Sequence, residues 1–421
     1  MHRVYLGNTK VAPLKKTVQQ MMKSRNLMVI TLTQSLFMLT ASLWWPYWSL
    51  YILELGVSKT LLGMIFMAET VSQLIFQLPG GVLTDRIGRK KMIVLGSVFR
   101  ATSPLIYVLT GSWQFVLVGM FITQMSNMMV PAIDALIAES TAVENRAMGY
   151  GTFRMMTLLP MVFTPFIGGV ITDSFGIYGG VRMAIATTLL VASFNVIIRW
   201  KFLEDTYSIE KDNSSSRLDA LKEIRSIPKS IWVLIIVAGF ASIGLRIASQ
   251  FMSVYAIEVV NLTNTEWGLI MTSVGIVSTL LTVPSSLWSD KVGRKPGIMV
   301  SLGLTPLMYA GFPISGGFFS LASSRVLGAI SEGFGGAVTG LEGGSAWLAL
   351  VSDIVPSRQR GKVMGLIATI AGVVSFPGSW FGGLLWDQVF PRAPFYVASV
   401  SSFIAFVVFA LFVKEPKEKA D

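Results

Sequence analysis

Five charged residues of this chain lie inside long apolar stretches, where a charge is costly and marks a functional candidate. They are Glu69, Arg100, Arg246, Arg325 and Glu332. A carboxylate in such a setting can take up and release a proton, and an arginine can bind an anion or hold a carboxylate. The chain has no cysteine and one histidine, His2, so a transported proton must ride on aspartate or glutamate.

The stretches around these charges set the class of the protein. Of 421 residues, 52% are hydrophobic and 14% are charged, which is too apolar for a water-soluble core. Twelve segments reach the ~20 residues that a membrane-spanning helix needs. They cover 27–54, 59–83, 91–110, 113–138, 148–172, 179–199, 231–257, 265–288, 296–315, 318–347, 362–386 and 393–413. The sequence therefore predicts an all-α membrane protein with 12 transmembrane helices.

A polar, serine-rich stretch at 200–230 divides the helices into six plus six. We expect bundles at 27–199 and 231–413, a cytoplasmic linker between them, and cytoplasmic tails at 1–26 and 414–421. Of the 34 Lys and Arg residues, 27 lie in the tails, the linker and the loops of one side, seven of them within 199–229. Basic residues favour the cytoplasmic side, so the chain is predicted to be a multi-pass plasma membrane protein with both termini inside. Because the charge is spread over many loops, nucleic acid is not an expected partner.

The two halves repeat each other. "SLYILE" at 49–54 matches "SVYAIE" at 253–258, a shift of about 205 residues, and the shift becomes 214 after a glycine-rich run at 332–344. "GGVITD" at 168–173 then matches "GGLLWD" at 382–387. Charged loops after the second and eighth helices match as well, with Gly81, Asp85, Arg86, Gly88, Arg89 and Lys90 in the first copy and Asp290, Lys291, Gly293, Arg294 and Lys295 in the second. Glu139 and Arg146 likewise match Asp353 and Arg360.

The charged loop resembles the signature loop between helices two and three of the major facilitator superfamily, with its second copy between helices eight and nine. The resemblance covers nearly the whole chain, including the helix count and the long central linker. It implies two pseudo-symmetric six-helix bundles around a central cavity, and charged loops that act as a latch while the bundles rock. Glu139 with Arg146 is expected to form a clamp of the same kind. The alternative is that the loop bases only anchor to anionic lipid headgroups.

Helix five carries a glycine and proline pattern that resembles a motif associated with exporters and antiporters of this family. Its residues are Gly151, Pro160, Thr164, Pro165, Gly168 and Gly169, with Pro160 and Thr164 replacing two glycines. The alternative is that they only allow close packing and a bend. Helix four has Met120 near the position of the arginine expected in proton antiporters, and a matching "RVLGAISEG" with Arg325 occurs in helix ten instead.

The resemblance also indicates which polar residues face the cavity, because helices seven and ten line it in this family. The predicted substrate or coupling residues are Glu69, Arg100, Gln124, Asn127, Asp134, Arg246, Gln250, Arg325 and Glu332. We expect Arg246 and Glu332 to face each other across the cavity, with Glu332 as the proton carrier and Glu69 as the alternative carrier. Glu69 and Arg100 are expected to be within reach of an ion pair. Asp134 lies nearer the cytoplasmic end, where a role in the latch is the alternative. "WWPYW" at 44–48 is either an interfacial aromatic belt or a cavity-lining face.

The functional prediction is secondary active transport, with proton-coupled export of amphipathic or hydrophobic compounds, as in multidrug efflux antiporters, as the leading hypothesis. One alternative is proton-coupled uptake of a polar or anionic metabolite, with Arg246 and Arg325 as ligands. The other is a receptor or scaffold that keeps this fold without transport. No nucleotide loop, metal cluster or nucleophile with a base is present in the sequence, so neither an enzyme, a cofactor nor a metal site is predicted. We expect a monomer in the lipid bilayer.

Overall fold

The computed structural model describes residues 24–141, 146–205, 229–335, 345–355 and 359–415. Within these ranges the side chains of residues 77–82, 85, 146–148, 229, 283, 290 and 345 are not described. The described residues form helices joined by short turns, without a β-strand. The predicted linker lies mostly outside the described residues, as does most of the N-terminal tail.

Among the described residues, ten helical runs are long and apolar enough to cross a membrane. One of them, Gly149–Phe202, has 54 residues and turns sharply at Gly176, so it makes two crossings. A further crossing is made by Phe318–Gly333 together with Ser345–Ile354. The described residues therefore contain the twelve membrane helices that the sequence predicts, and we name them α1 to α12.

The bounds of these helices agree with the predicted segments to within a few residues, apart from α10. In chain order they are α1 (Arg25–Glu54), α2 (Lys59–Ile87), α3 (Arg89–Leu109), α4 (Trp113–Glu139), α5 (Arg146–Leu158 and Thr164 to the turn at Gly176), α6 (that turn to Phe202), α7 (Ser230–Val259), α8 (Asn264–Val292), α9 (Arg294–Ile314), α10 (Phe318–Gly333 and Ser345–Ile354), α11 (Arg360–Gln388) and α12 (Ala393–Phe412).

The end of α10 corrects the sequence prediction, which placed it at residue 347. The helix continues to Ile354, one residue beyond Asp353. Its counterpart α4 ends at Glu139, which matches Asp353 in the repeat.

The helices pack as two bundles of six, α1–α6 and α7–α12, that repeat the same arrangement. In each bundle the third helix packs on the fourth and the sixth, as α9 does on α10 and α12. One hydrophobic core lies in each bundle, and a third, rich in Trp, Tyr and Phe, extends across both. The bundles meet mainly where α2 packs on α11 and α5 packs on α8.

An even number of crossings places the start of α1 and the end of α12 on one side of the molecule, which we call the terminal face. Arg25 and Phe412 lie at this face, together with the tight turns at Gly88 and Gly293. The turns at Gly56 and Gly176 lie at the opposite side, the far face.

Several helices are interrupted part of the way across, and the interruptions repeat between the halves. Trp45–Tyr47 of α1 and Ser249–Phe251 of α7 are single 3₁₀ turns at matching positions. Residues 162–163 of α5 and 376–377 of α11 are non-helical turns at matching positions as well. Interrupted backbone at membrane depth is tolerated where it is buried in protein or lines a cavity. The breaks therefore lie in helices that also contact the other bundle.

Candidate functional site

A chain of polar side chains links α2 to α4 at membrane depth. The amide of Asn127 donates to Gln124 Oε1 at 2.8 Å, and Gln124 Nε2 donates to Glu69 Oε1 at 3.0 Å. Glu69 lies ten residues from the start of α2 at the far face, which corresponds to ~15 Å of helix and the middle of a ~30 Å hydrocarbon layer. Gln124 is buried, whereas Glu69 and Asn127 are half-buried. The carboxylate is therefore held by an amide and remains partly open.

The second bundle contributes a positive charge to the same region. Arg246 Nη2 of α7 donates to Gln73 Oε1 of α2 at 3.4 Å, and the guanidinium is near enough to attract the Glu69 carboxylate. Gln73 lies four residues after Glu69, so both side chains leave the same face of α2. We call Glu69, Gln73, Gln124, Asn127 and Arg246 the cross-bundle cluster. It places a carboxylate of one bundle and a guanidinium of the other on opposite sides of their interface.

The backbone at Arg246 is fixed by α11 of its own bundle. Ser379 Oγ donates to the Arg246 carbonyl oxygen at 3.1 Å, and a Cβ on Gly378 would lie 2.9 Å from the Arg246 Cβ. Ser379 in turn touches the first bundle, because a Cβ on Gly63 would lie 2.2 Å from its carbonyl oxygen. Any movement of α2 along α11 therefore changes the position of Glu69 relative to Arg246.

The predicted ion pair between Glu69 and Arg100 is wrong. Arg100 Nη1 donates to Gln34 Oε1 of α1 at 3.0 Å, and its guanidinium lies 4.7 Å from the centre of the Phe37 ring. The sequence indicates that the two charges lie at depths within reach of a flexible arginine side chain, but it does not fix the rotation of α3 about its axis. Arg100 points into the first bundle, away from Glu69.

Arg199 shares this interior position, although its place at the end of a predicted helix indicates a base of the cytoplasmic side. It is 1% exposed, and its guanidinium donates to Thr33 Oγ1 at 2.9 Å, Ser97 Oγ at 2.8 Å and Gln34 Oε1 at 3.3 Å. Helical side chains tilt toward the helix N-terminus, which for α6 is the membrane interior. The hydroxyl and amide oxygens of two neighbouring helices, α1 and α3, thus solvate a charge that a loop position would leave to water.

Glu332 does not face Arg246 as predicted. Its Oε1 lies 3.7 Å from Nη2 of Arg325, which is seven residues earlier on the same helix. The side chain of Glu332 is 48% exposed. Arg325 is buried, and Nη1 also approaches the sulfur of Met308 at 3.0 Å. The two residues form a pair within α10, separate from the described contacts of the cross-bundle cluster.

Two other predicted residues also lie apart from the cross-bundle cluster. Gln250 lies in the 3₁₀ turn of α7, half-buried. Asp134 is exposed on the last segment of α4, and its carbonyl oxygen accepts the Tyr150 hydroxyl at 2.7 Å.

The charged loops at the terminal face form matching ion pairs. Arg89 Nη2 lies 2.6 Å from Glu139 Oε1, and Arg294 Nε lies 3.9 Å from Asp353 Oδ2. Each pair joins the start of the third helix of a bundle to the end of the fourth. The described part of the latch is therefore a contact within each bundle.

Other latch residues surround these pairs. Gly88 and Gly293 have φ of +88° and +117°, a conformation that glycine adopts without strain, so they allow the tight turns into α3 and α9. Lys295 Nζ donates to the Ala410 carbonyl at 2.9 Å, and Arg360 Nε to that of Val355 at 3.1 Å. Arg86 and Lys291 are exposed and Lys90 is half-buried. Gly81 lies within α2. The side chains of Asp85, Arg146 and Asp290 are not described.

The helix-five residues lie at the interface with other helices toward the far face. The Thr164 hydroxyl contacts that of Ser42 in α1, and the Pro165 carbonyl accepts the Tyr47 hydroxyl at 2.6 Å. Gly168 packs against the Leu43 carbonyl, and Pro160 lies in the turn that interrupts α5. Gly151 has open space around its Cβ position. The pattern thus builds a close crossing of α5 with α1.

"WWPYW" is not an interfacial belt, since only Trp45 is largely exposed, at 51%. Tyr47 is fully buried, and its hydroxyl also lies 3.1 Å from the Asn264 carbonyl of the second bundle. The Trp267 indole donates to the Pro46 carbonyl at 3.4 Å. The segment packs into the core that the two bundles share because the break in α1 exposes carbonyls that α8 can reach.

Four glycines lie at close contacts between the bundles. A Cβ on Gly63 or Gly383 would lie 2.2 or 2.3 Å from a carbonyl oxygen across the α2–α11 contact. A Cβ on Gly169 or Gly268 would lie 2.5 or 2.4 Å from one across the α5–α8 contact. Gly63 matches Gly268 and Gly169 matches Gly383 in the repeat. Backbones therefore meet without side chains between them, and the far face is closed.

Sequence reasoning missed Gln73, Gln34 and Arg199. Gln73 could have been found, because it lies one helical turn after Glu69 on the same face. For the other two no signal in the sequence shows which way the side chain points.

Comparison with known proteins agrees with this architecture. A family model described as Major Facilitator Superfamily matches residues 30–339 and, in a second match, 251–421. An uncharacterised MFS-type transporter of Methanocaldococcus jannaschii, MJ1560, is 25% identical over 379 residues, which are 86% of this chain and 92% of that protein. The quinolone resistance protein NorA of Staphylococcus aureus is 27% identical over 190 residues, 45% of this chain and 46% of that protein.

Solved structures share the fold at low sequence identity. The nucleoside transporter NupG superimposes with a TM-score of 0.73 at 13% identity, over 92% of this chain and 99% of that one. A D-xylose–proton symporter gives 0.72 at 17% identity, over 94% and 100%. At such identities the similarity shows the fold and leaves the substrate open.

Proposed function

This chain belongs to the major facilitator superfamily and is a membrane transporter, and we propose that it exports amphipathic or hydrophobic small molecules in exchange for protons. The observation that carries the proposal is the position of Glu69. It is an ionisable carboxylate at membrane depth, bonded to an amide of its own bundle and attracted by Arg246 of the other.

Such a carboxylate can couple proton binding to conformation. Burial favours the neutral acid, whereas a nearby guanidinium favours the carboxylate. When the bundles rock, α2 and α7 move relative to each other and the attraction of Arg246 for Glu69 changes. Glu69 would then release its proton in the state where Arg246 is near and take one up in the state where it is far. Gln124 can stabilise either form, since its amide both donates and accepts.

Two features support export of amphipathic compounds. The relative NorA is named for quinolone resistance, and its similarity covers 45% of this chain. The helix-five pattern, at Gly151, Pro160, Thr164, Pro165, Gly168 and Gly169, resembles that of family exporters. The basic residues of the terminal face support its assignment to the cytoplasm of a plasma membrane, with the charged loops as a latch on that side.

One alternative is supported by a specific observation. Arg246 is half-buried and hydrogen-bonded only weakly, at 3.4 Å, so its guanidinium could bind the anionic group of a polar substrate. The chain would then take up a metabolite together with protons, with Glu69 as the coupling group. In both cases Glu69 binds the proton, and the direction and the substrate class differ.

Membrane vesicles of opposite orientation distinguish these functions. In inside-out vesicles with an acidic lumen, we expect ethidium to accumulate in a protein-dependent manner and to leave when nigericin dissipates the pH gradient. If right-side-out vesicles instead accumulate a labelled organic anion or nucleoside when the external medium is acidic, the function is uptake and not export. Equal signals from vesicles with and without the protein, for every probe in both orientations, would reject proton-coupled transport of these classes.

A further inference from the structure

The repeated segments "GGVITD" and "GGLLWD" each end in a carboxylate at the far face. Asp173 ends the first, at the end of α5. Its Oδ1 accepts the backbone N–H of Asn264 at 3.0 Å and the side-chain amide of the same residue at 2.9 Å, while Oδ2 accepts the N–H of Thr265 at 2.8 Å. These donors begin α8. The carboxylate of one bundle thus binds the first turn of a helix in the other.

Asp387 makes the same contact in the opposite direction. It ends the second segment, in α11, and its Oδ2 accepts both the backbone N–H and the hydroxyl of Thr60 at 2.8 Å. Thr60 lies in the first turn of α2 and matches Thr265 in the repeat. The second bundle therefore binds the first by the symmetry-related bond, and the far face has two such contacts.

The chemistry of a helix start explains why a carboxylate fits there. The first four N–H groups of a helix have no partner within it, and the helix dipole attracts negative charge. Each helix caps some of these groups with its own side chains. Ser58 Oγ accepts the N–H of Leu61 at 3.1 Å, and Thr263 Oγ1 accepts that of Glu266 at 3.1 Å. The earlier N–H groups, at Thr60, Asn264 and Thr265, are bound by the other bundle.

We propose that Asp173 and Asp387 are gating residues that hold the two bundles together when the far face is closed and must release their helices before it opens. Both carboxylates are exposed, so water can replace the lost partner and the contact can break in each cycle. Two equivalent contacts on opposite sides of the interface prevent the bundles from opening at one side alone. The proposal rests on transport by rocking bundles and does not depend on protons or on a particular substrate.

The test measures the distance between the bundles at the far face. The chain has no cysteine, so Glu54 and Gln388, which are exposed there on different bundles, can be replaced by cysteine and spin-labelled. In lipid nanodiscs, the unsubstituted protein should show mainly the short distance. Asp173→Asn or Asp387→Asn should each raise the ratio of long to short distances about two- to tenfold, and the double variant by roughly the product of the two. Asparagine keeps the volume but lacks the charge.

Glu266→Gln is the matched control. Glu266 also accepts a backbone N–H at the start of α8, but the donor is Thr263, the N-cap residue of the same helix. It should leave the distance ratio unchanged. A double aspartate variant with the original ratio would overturn the proposal, as would a Glu266→Gln variant that shifts the ratio equally. A thermal unfolding midpoint for each variant excludes loss of fold as the cause.

This experiment is independent of the export assay. It needs neither substrate nor a pH gradient, so a shifted ratio would support the gating role even if ethidium is not transported. Conversely, proton-coupled export with an unchanged ratio would remove the gating role and leave the proposed function in place.

Discussion

A Glu69→Gln variant is expected to exchange substrate across the membrane but not to accumulate it against a gradient. Glutamine keeps the shape of the side chain and can still bond to Gln124, but it cannot bind or release a proton. In proteoliposomes, uptake driven by a pH gradient should fall to the level of liposomes without protein. Counterflow of labelled against unlabelled substrate should persist, because it requires only that the loaded bundles rock.

Glu332→Gln is the matched control, since Glu332 is the other unrepeated carboxylate at membrane depth. Its partner Arg325 lies on the same helix, so rocking of the bundles does not change that pair. We expect the Glu332→Gln variant to retain pH-driven accumulation. If accumulation were lost in Glu332→Gln and kept in Glu69→Gln, the proton-binding carboxylate would be Glu332 on α10 and not Glu69.

The second large effect is expected from the glycines at which the bundles touch. In Gly169→Val, a Cβ would lie 2.5 Å from the Asn264 carbonyl oxygen, which is backbone and cannot rotate away. Overpacking of this kind costs roughly 1–3 kcal/mol, so the closed far face should become about 5- to 150-fold less populated. Transport should fall accordingly, and a far-face distance measurement should show the bundles apart. Gly383→Val, at the matching position, should behave alike.

Gly151→Val and Gly365→Val are the controls, because they lie on the same two helices at matching positions with no atom within 4 Å of the added Cβ. Each carries the same cost in helix propensity without a contact between bundles. They should transport at rates close to those of the unsubstituted protein. Equal losses in all four valine variants would mean that helix stability, and not closure of the far face, limits transport.

The fold could largely be predicted from the sequence, because each crossing needs a long apolar segment and the two halves of the chain repeat each other. The repeat also located the extra residues of the second half near the glycine-rich run.

The candidate site was only partly predictable. The position of Glu69, Arg100 and Arg246 along their apolar segments predicts their depth in the membrane. On depth alone, Glu69 was expected to lie within reach of Arg100. Which side chains meet depends on the rotation and tilt of each helix, which are set by packing between helices. Arg246 therefore faces α2, where Gln73 and Glu69 lie, and Glu332 turns to Arg325. The predicted roles of these residues in coupling remain predictions.

The gating contacts show the same limit at the far face. "GGVITD" and "GGLLWD" were recognised as a repeat, which explains why the glycines and the aspartates recur together. The sequence does not show that each aspartate reaches a helix of the opposite bundle. That information lies in the crossing of α5 with α8 and of α11 with α2, which brings a helix end and a helix start together.

Substrate-driven proton movement is the most direct test of the account. Proteoliposomes are loaded with ethidium and a pH-sensitive dye, diluted into weakly buffered medium without ethidium, and the internal pH is followed. Because ethidium is expected to leave in exchange for protons, its efflux through the unsubstituted protein should carry protons inward and acidify the lumen. We expect no such change with Glu69→Gln and an unreduced change with Glu332→Gln. Ethidium efflux through the unsubstituted protein at constant internal pH would contradict proton-coupled exchange.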